Sequence, residues 1–153
     1  MSTAIRPTEL IINGDYAARA ARAINDAKTD ICICAYDWRW YGHEPESEVQ
    51  KFNIAIVRAI GRGVRVRAIV NGETNYRILK ALGVNVKYVG NDKIMHIKAI
   101  AIQDSVLMLG SHNLTKRANT QNYEISAFIY DTEPILQFKT YFDTLWLHAR
   151  GGA

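Results

Sequence analysis

Apolar residues along this chain switch repeatedly between helical spacing and short continuous runs, and that switching most narrows what it can fold into. From Asp15, the positions Ala17, Ala20, Ala21, Ile24 and Ala27 recur at helical spacing, so residues 15–28 read as an amphipathic helix. The run ICICAY, Ile31 to Tyr36, follows as a short apolar strand. Ser47 and Gln50 have the spacing of a capping box and open a second helix, with Val49, Phe52, Ile56, Ala59 and Ile60 as its buried stripe. Gly61 and Gly63 stop it, Val64 to Val70 read as the next strand, and Asn71-Gly72 as a turn. Asn75 to Leu82 is a short helix closed by Gly83, leading to a strand at Val84 to Val89 and a turn at Gly90-Asn91-Asp92. Met95 to Ile102 and Val106 to Leu109 are strand-like and joined through Gln103-Asp104-Ser105. Gly110 to Asn122 reads as a polar loop and Tyr123 to Tyr130 as a strand. Thr132 is placed to cap a last helix with the stripe Ile135, Phe138, Phe142 and Leu145. Helices between strands imply an α/β fold, a mixed β-sheet flanked by helices on both faces. No repeat or low-complexity linker interrupts the pattern, and 153 residues suit one core, so a single domain over 1–153 is expected.

With 48% hydrophobic and 22% charged residues, the composition excludes a disordered chain. The apolar runs are short, so no membrane span is expected. MSTAIRPTEL has no basic start leading into an apolar stretch, so no secretory signal is expected and the cytoplasm is the expected location. Cys32 and Cys34 leave one face of a strand and supply neither a zinc quartet nor a disulfide framework; buried thiols are the expectation. A net charge of +4 tilts the expected partner toward an anion.

Chemistry concentrates in residues 95–115. On the expected strand His96 and Lys98 leave the same face. A neutral imidazole can attack phosphorus or act as a base, while a lysine neutralises phosphate oxygens. Ser111, Asn113 and Thr115 add hydrogen-bond donors, with Gly110 allowing the turn. Donors and a cation converging on one anion are what a phosphorane-like transition state requires. No carboxylates cluster at ligand spacing, so neither a metal nor a cofactor is expected.

His96-x-Lys98 followed by Gly110-Ser111-x-Asn113 resembles the signature of the phospholipase D superfamily, in which His-x-Lys precedes an Asp and then Gly-Ser-x-Asn. Asn122-Tyr123-Glu124 continues the resemblance, as does the upstream order of helix, ICICAYDW, helix and RGVRVRAIV. The similarity covers nearly the whole chain and is closest to the small single-motif nucleases of that superfamily, which implies a phospholipase D-like sheet. One position departs: the family Asp falls on Gln103, with Asp104 one residue late, a substitution that puts full activity in question.

The resemblance implies roles. His96 is the nucleophile that forms a phosphohistidine or, in a second copy, the acid that protonates the leaving oxygen. Lys98, Ser111 and Asn113 hold non-bridging oxygens, and Glu124 pairs with an imidazole N–H. One motif per chain implies a homodimer with one composite site, since His43, His112 and His148 are poorly placed to serve as the second histidine. Thr115, Lys116 and Arg117 follow the motif and are candidates for binding substrate and its flanking phosphates. Trp38, in a cluster with Arg39, Trp40 and Tyr41, is expected either to stack on bases at the cleft rim or to lie in the core or an interface. Arg62, Arg65 and Arg67 read as a solvated face. The expected function is a metal-independent phosphodiesterase cleaving nucleic acid, DNA ahead of RNA, as a nonspecific endonuclease. The alternatives are a lipid-cleaving phospholipase, for which no apolar docking loop or basic amphipathic helix stands out, and a catalytically decayed nucleic-acid-binding protein, favoured by Gln103 alone.

Overall fold

The computed structural model describes residues 4–90 and 92–151, so Asn91 of the expected Gly90–Asp92 turn and the extreme ends of the expected domain lie outside the described residues. The strands are β1 (Glu9–Ile12), β2 (Asp30–Ala35), β3 (Arg65–Asn71), β4 (Asn85–Val89), β5 (Lys98–Ile102), β6 (Val106–Gly110) and β7 (Ile125–Ile129). The helices are α1 (Tyr16–Asn25), α2 (Glu48–Gly61), α3 (Glu73–Ala81), α4 (Lys116–Thr120) and α5 (Thr132–His148). All the strands join one sheet in the order β1-β7-β6-β5-β2-β3-β4. Through α2 and α3, β2, β3 and β4 run parallel; β5, β6, β7 and β1 pair antiparallel on the other side.

Alternation along each strand divides the core into two layers. Ile31, Ile33 and Ala35 of β2 and Ile100 and Ile102 of β5 meet Ala20 and Ile24 of α1 and Phe52 and Ile56 of α2. Cys32, Cys34, Ala99 and Ala101 point the other way, against Ile135 and Phe142 of α5. The sheet is therefore covered on both faces. Both thiols are free and buried, and burial pushes the Cys34 thiol up to about 12, so neither is reactive near neutrality.

Several local expectations need correction. Ser47 Oγ caps α2 by accepting from Gln50 N at 3.2 Å, but the return arm of the box is missing. Gln50 Oε1 instead accepts from Tyr41 N at 2.8 Å and from Asn53 Nδ2 at 3.0 Å, tying the loop after β2 to the helix. Asp131, not Thr132, caps α5, accepting from Glu133 N at 3.3 Å. β5 begins at Lys98, so His96 lies in the approach to the strand. A short helix, α4, sits in the expected polar loop, and the edge strand β1 was not expected at all. Arg67 is no part of a solvated face, and Arg62, though exposed as expected, is tied down. Arg62 donates to Ile24 O and Ala27 O, each at 3.0 Å, closing the C-terminal end of α1. Arg67 pairs with Asp143 at 3.0 Å and lies over the Phe142 ring, while Arg65 is exposed as expected.

Candidate active site at the carboxyl end of the parallel strands

The antiparallel register sets Ala35, the last residue of β2, opposite Lys98, the first of β5. β6 ends and β7 begins at the same edge, with Gly110 opposite Ser126. Tyr36, His96, Lys98, Ser111 and Glu124 therefore gather outside the carboxyl end of the parallel strands, where open α/β sheets bind ligands. Gly110 is required there, because a Cβ would lie 2.3 Å from Ser126 Oγ and 2.5 Å from Ile125 O.

Lys98 Nζ lies 3.3 Å from each ring nitrogen of His96 and donates to His96 O at 2.9 Å. Tyr36, at the end of the expected ICICAY strand, joins the two: its ring centroid is 4.7 Å from that of His96, and Lys98 Nζ lies 5.0 Å from it. Burial pulls the Lys98 ammonium below the usual lysine range, against an opposing pull from the Glu124 carboxylate. His96 itself is exposed. An imidazole open to solvent with an ammonium beside it can meet a phosphodiester and neutralise it in one encounter.

Ser111 Oγ donates to Glu124 Oε2 and accepts from Ile125 N at 3.0 Å, while Asn122 Nδ2 donates to Glu124 Oε1 at 3.1 Å. Among the described residues, Glu124 thus pairs with a hydroxyl and an amide instead of the expected imidazole. Asn113 Oδ1 is buried with no hydrogen-bond partner among them, beside a cavity of about 10 Å³ lined by Tyr36, Asp37 and Lys98. Leu114 N donates to Asp37 O at 3.0 Å and Arg39 N to Leu114 O at 3.1 Å, so the loop after β2 fixes the segment carrying Asn113.

Two of the expected substrate contacts are structural. Trp38 is buried, and its Nε1 donates to Asn53 Oδ1 at 2.7 Å, so no face remains for a base. Thr115 is buried as the cap of α4, accepting from Ala118 N at 3.3 Å. Lys116 pairs with Glu44 across the surface, whereas Arg117 is exposed and forms no ion pair among the described residues. His112, inside the motif, is scaffold: its ring stacks on Tyr16 at 4.5 Å. Nε2 must carry a proton to donate to Asn13 O at 2.7 Å, which leaves Nδ1 to accept from Ser126 Oγ at 2.7 Å. Burial lowers its pKa and favours this neutral form.

Residues 21–146 match the family model described as cardiolipin synthase, PLD-like domain. This chain belongs to the phospholipase D superfamily. Mouse mitochondrial cardiolipin hydrolase is 33% identical over 136 residues, covering 84% of this chain and 57% of the mouse protein. The chain spans between 12% and 58% of the length of the curated relatives it matches. Two solved structures share its fold almost end to end. The phospholipase D family member Nuc from Salmonella typhimurium has a TM-score of 0.76 at 23% identity, covering 94% of this chain and 97% of Nuc. NucT from Helicobacter pylori has a TM-score of 0.77 at 21% identity, covering 95% of this chain and 98% of NucT. Within this superfamily fold, the departing residue Gln103 sits at the opposite end of β5 from Lys98. Gln103 Oε1 accepts from Lys28 N at 2.6 Å and Thr29 N at 3.1 Å, and its backbone is left-handed, with φ of 52°. Asp104 is occupied by Lys139 at 2.9 Å, at that same far end.

Proposed function

We propose that this chain is a metal-independent phosphodiesterase that cleaves nucleic acid, most simply a nonspecific endonuclease, at a site shared by two copies. The observation that carries the reading is the exposed His96 imidazole with Lys98 Nζ 3.3 Å from both of its ring nitrogens, on an open rim that a polymer backbone can reach. A His96 ring nitrogen attacks phosphorus, and the bond to the leaving oxygen breaks as the partner subunit's His96 protonates that oxygen. Water then attacks the phosphohistidine, giving up its proton to the partner subunit's His96 and releasing the His96 nitrogen. Lys98 and Asn113 neutralise and bind the non-bridging oxygens, and Arg117 meets a flanking phosphate.

The homodimer reading has support in the other histidines and in the sheet surface. His112 is locked in the core, and His43 and His148 are exposed on elements away from Lys98. Leu10, Ala127 and Leu109 lie in register across three strands, with Ile12 opposite Ile125 on the same face. Leu10, Ile12, Leu109 and Ile125 stay exposed beside Ser111 and Glu124, an apolar surface suited to a second copy. The nucleic-acid reading draws support from the end-to-end match with Nuc and NucT and from the net charge of +4.

One observation favours a lipid substrate instead. A groove of about 520 Å³ lined by Ile94, Met95, Ile97, Tyr141 and Leu145 adjoins His96, an apolar lining suited to an acyl chain. No helix among the described residues is long and apolar enough to cross a membrane. Plasmid DNA, RNA, a phosphatidylcholine analogue and cardiolipin vesicles, assayed side by side, separate the readings. Cleavage of nucleic acid without lipid turnover supports the nuclease; lipid turnover alone overturns it; binding of nucleic acid without cleavage of any substrate identifies a decayed enzyme.

A further inference from the structure

The β1–β7 ladder ends at the pair Ile12 and Ile125, so the next pair would be Asn13 and Glu124. The ladder does not simply continue. Asn13 takes a left-handed backbone, with φ of 56°, and the chain turns away into α1. Asn is one of the few residues with a side chain that adopts this conformation readily. Asn13 N still donates to Glu124 O at 2.9 Å, but the return bond comes from the side chain, with Glu124 N donating to Asn13 Oδ1 at 3.0 Å. Asn13 O meanwhile accepts from His112 Nε2 at 2.7 Å. One residue at the sheet edge thus grips both backbone polar groups of Glu124 and braces the buried histidine of the Gly-Ser-x-Asn segment.

We infer that Asn13 is a positioning residue for Glu124: its carboxamide fixes the Glu124 backbone so that the carboxylate faces Ser111 and the Lys98 ammonium. The inference rests on the imidazole-pairing role that the superfamily resemblance implies for Glu124, and adds the residue that aims it. Among the described residues, the Glu124 carboxylate is held directly only by Ser111 and Asn122. Both are partners that substrate or solvent can draw away. The backbone clamp is what keeps the carboxylate at the rim when they are drawn away. It also explains why a left-handed Asn is spent at an exposed strand end.

The test uses the full chain and the substrate the panel identifies. Asn13→Gly accommodates the left-handed backbone with its N–H and C=O contacts and removes the side chain whose Oδ1 accepts from Glu124 N. kcat should fall roughly three- to tenfold, the range one hydrogen bond supports, with KM little changed. Asn13→Asp keeps an oxygen in place and should restore most of the rate. The alkaline limb of kcat should move to lower pH in Asn13→Gly, because a misplaced carboxylate supports the Lys98 ammonium less. In a Glu124→Gln background Asn13→Gly should cost nothing further, the signature of action through one group. The same loss in both backgrounds would overturn the inference. So would wild-type kcat in Asn13→Gly while Glu124→Gln is impaired. A fully active Glu124→Gln would instead remove the role of Glu124 itself, and the inference with it. If Asn13→Gly does not fold, Asn13→Asp decides, since a lost rate with the acceptor retained contradicts the clamp.

Discussion

Replacing Gln103 with Ala separates two explanations for a residue that stands where the superfamily carries Asp. The structure makes it a clip: Oε1 takes the N–H groups of Lys28 and Thr29, holding the end of the α1–β2 connection against the β5–β6 turn. Both bonds are solvent-exposed, so water replaces much of what is lost, and each is worth about 0.5 kcal/mol net. Ala also keeps the unfavourable left-handed backbone. The loss sums to about 1 kcal/mol, which for a chain of this length lowers Tm by about 2–4 °C. Turnover at 25 °C should stay within about twofold of wild type, because such a loss leaves a protein of ordinary stability folded and His96 lies beyond the other end of β5. Gln103→Asp should behave similarly, its shorter side chain reaching one of the two donors. Thermal melts by circular dichroism and initial rates on the same preparations measure both quantities. A drop in kcat of ten times or more with an unchanged Tm would refute the clip and make position 103 part of the chemistry.

Four further outcomes follow from the proposed site. His96→Ala should abolish turnover with little change in Tm, since an exposed side chain is removed, and acid-labile phosphate trapped on the wild type should be absent; retained turnover contradicts a nucleophilic His96. Cleavage should survive excess EDTA, and substrate binding should weaken steeply with added salt as basic groups displace counterions; loss on chelation restored by magnesium would demand a metal. Rates should fall on the alkaline side below the usual lysine range, because burial lowers the Lys98 pKa and the reaction needs the ammonium; a flat alkaline limb up to that range would contradict it. Equal mixing of wild-type and His96→Ala chains, after subunit exchange, should leave about a quarter of the activity for a shared site and about half for independent sites.

How much of this was legible in the sequence depends on whether the deciding contact was local. α2 and α5 were read correctly because Phe52, Ile56, Ile135 and Phe142 announce their buried faces by spacing alone. β1 escaped because Ile11 is its one buried residue and carries no period. α4 escaped because KRANT has no apolar stripe; its cap Thr115 looks the same, as letters, whether it caps a helix or binds a phosphate. Trp38 stays open between the cleft rim and the core in the sequence because the polar partner that buries it, Asn53, belongs to the next helix. Asn13 carries no signal in the sequence, since its partners His112 and Glu124 lie 99 and 111 residues away. His96, Lys98, Ser111 and Glu124 come to one edge of the sheet because their strands pair in sequence order, β5 with β6 and β6 with β7.

Ser111 has one hydroxyl proton, and it is given to Glu124. The same proton cannot also bind a phosphate oxygen, so in the proposed reaction an arriving phosphodiester competes with Glu124 for Ser111. When the phosphate takes it, Glu124 keeps Asn122 as a donor and has lone pairs to spare. The nearest need for an acceptor is then the imidazole N–H that develops positive charge as a histidine attacks or waits to protonate the leaving oxygen. In the proposed reaction, pairing with Ser111 without substrate and with imidazole during turnover are successive states of one carboxylate, exchanged by the substrate. That exchange demands a Glu124 backbone that stays still while its side-chain partners change. The Asn13 clamp meets that demand.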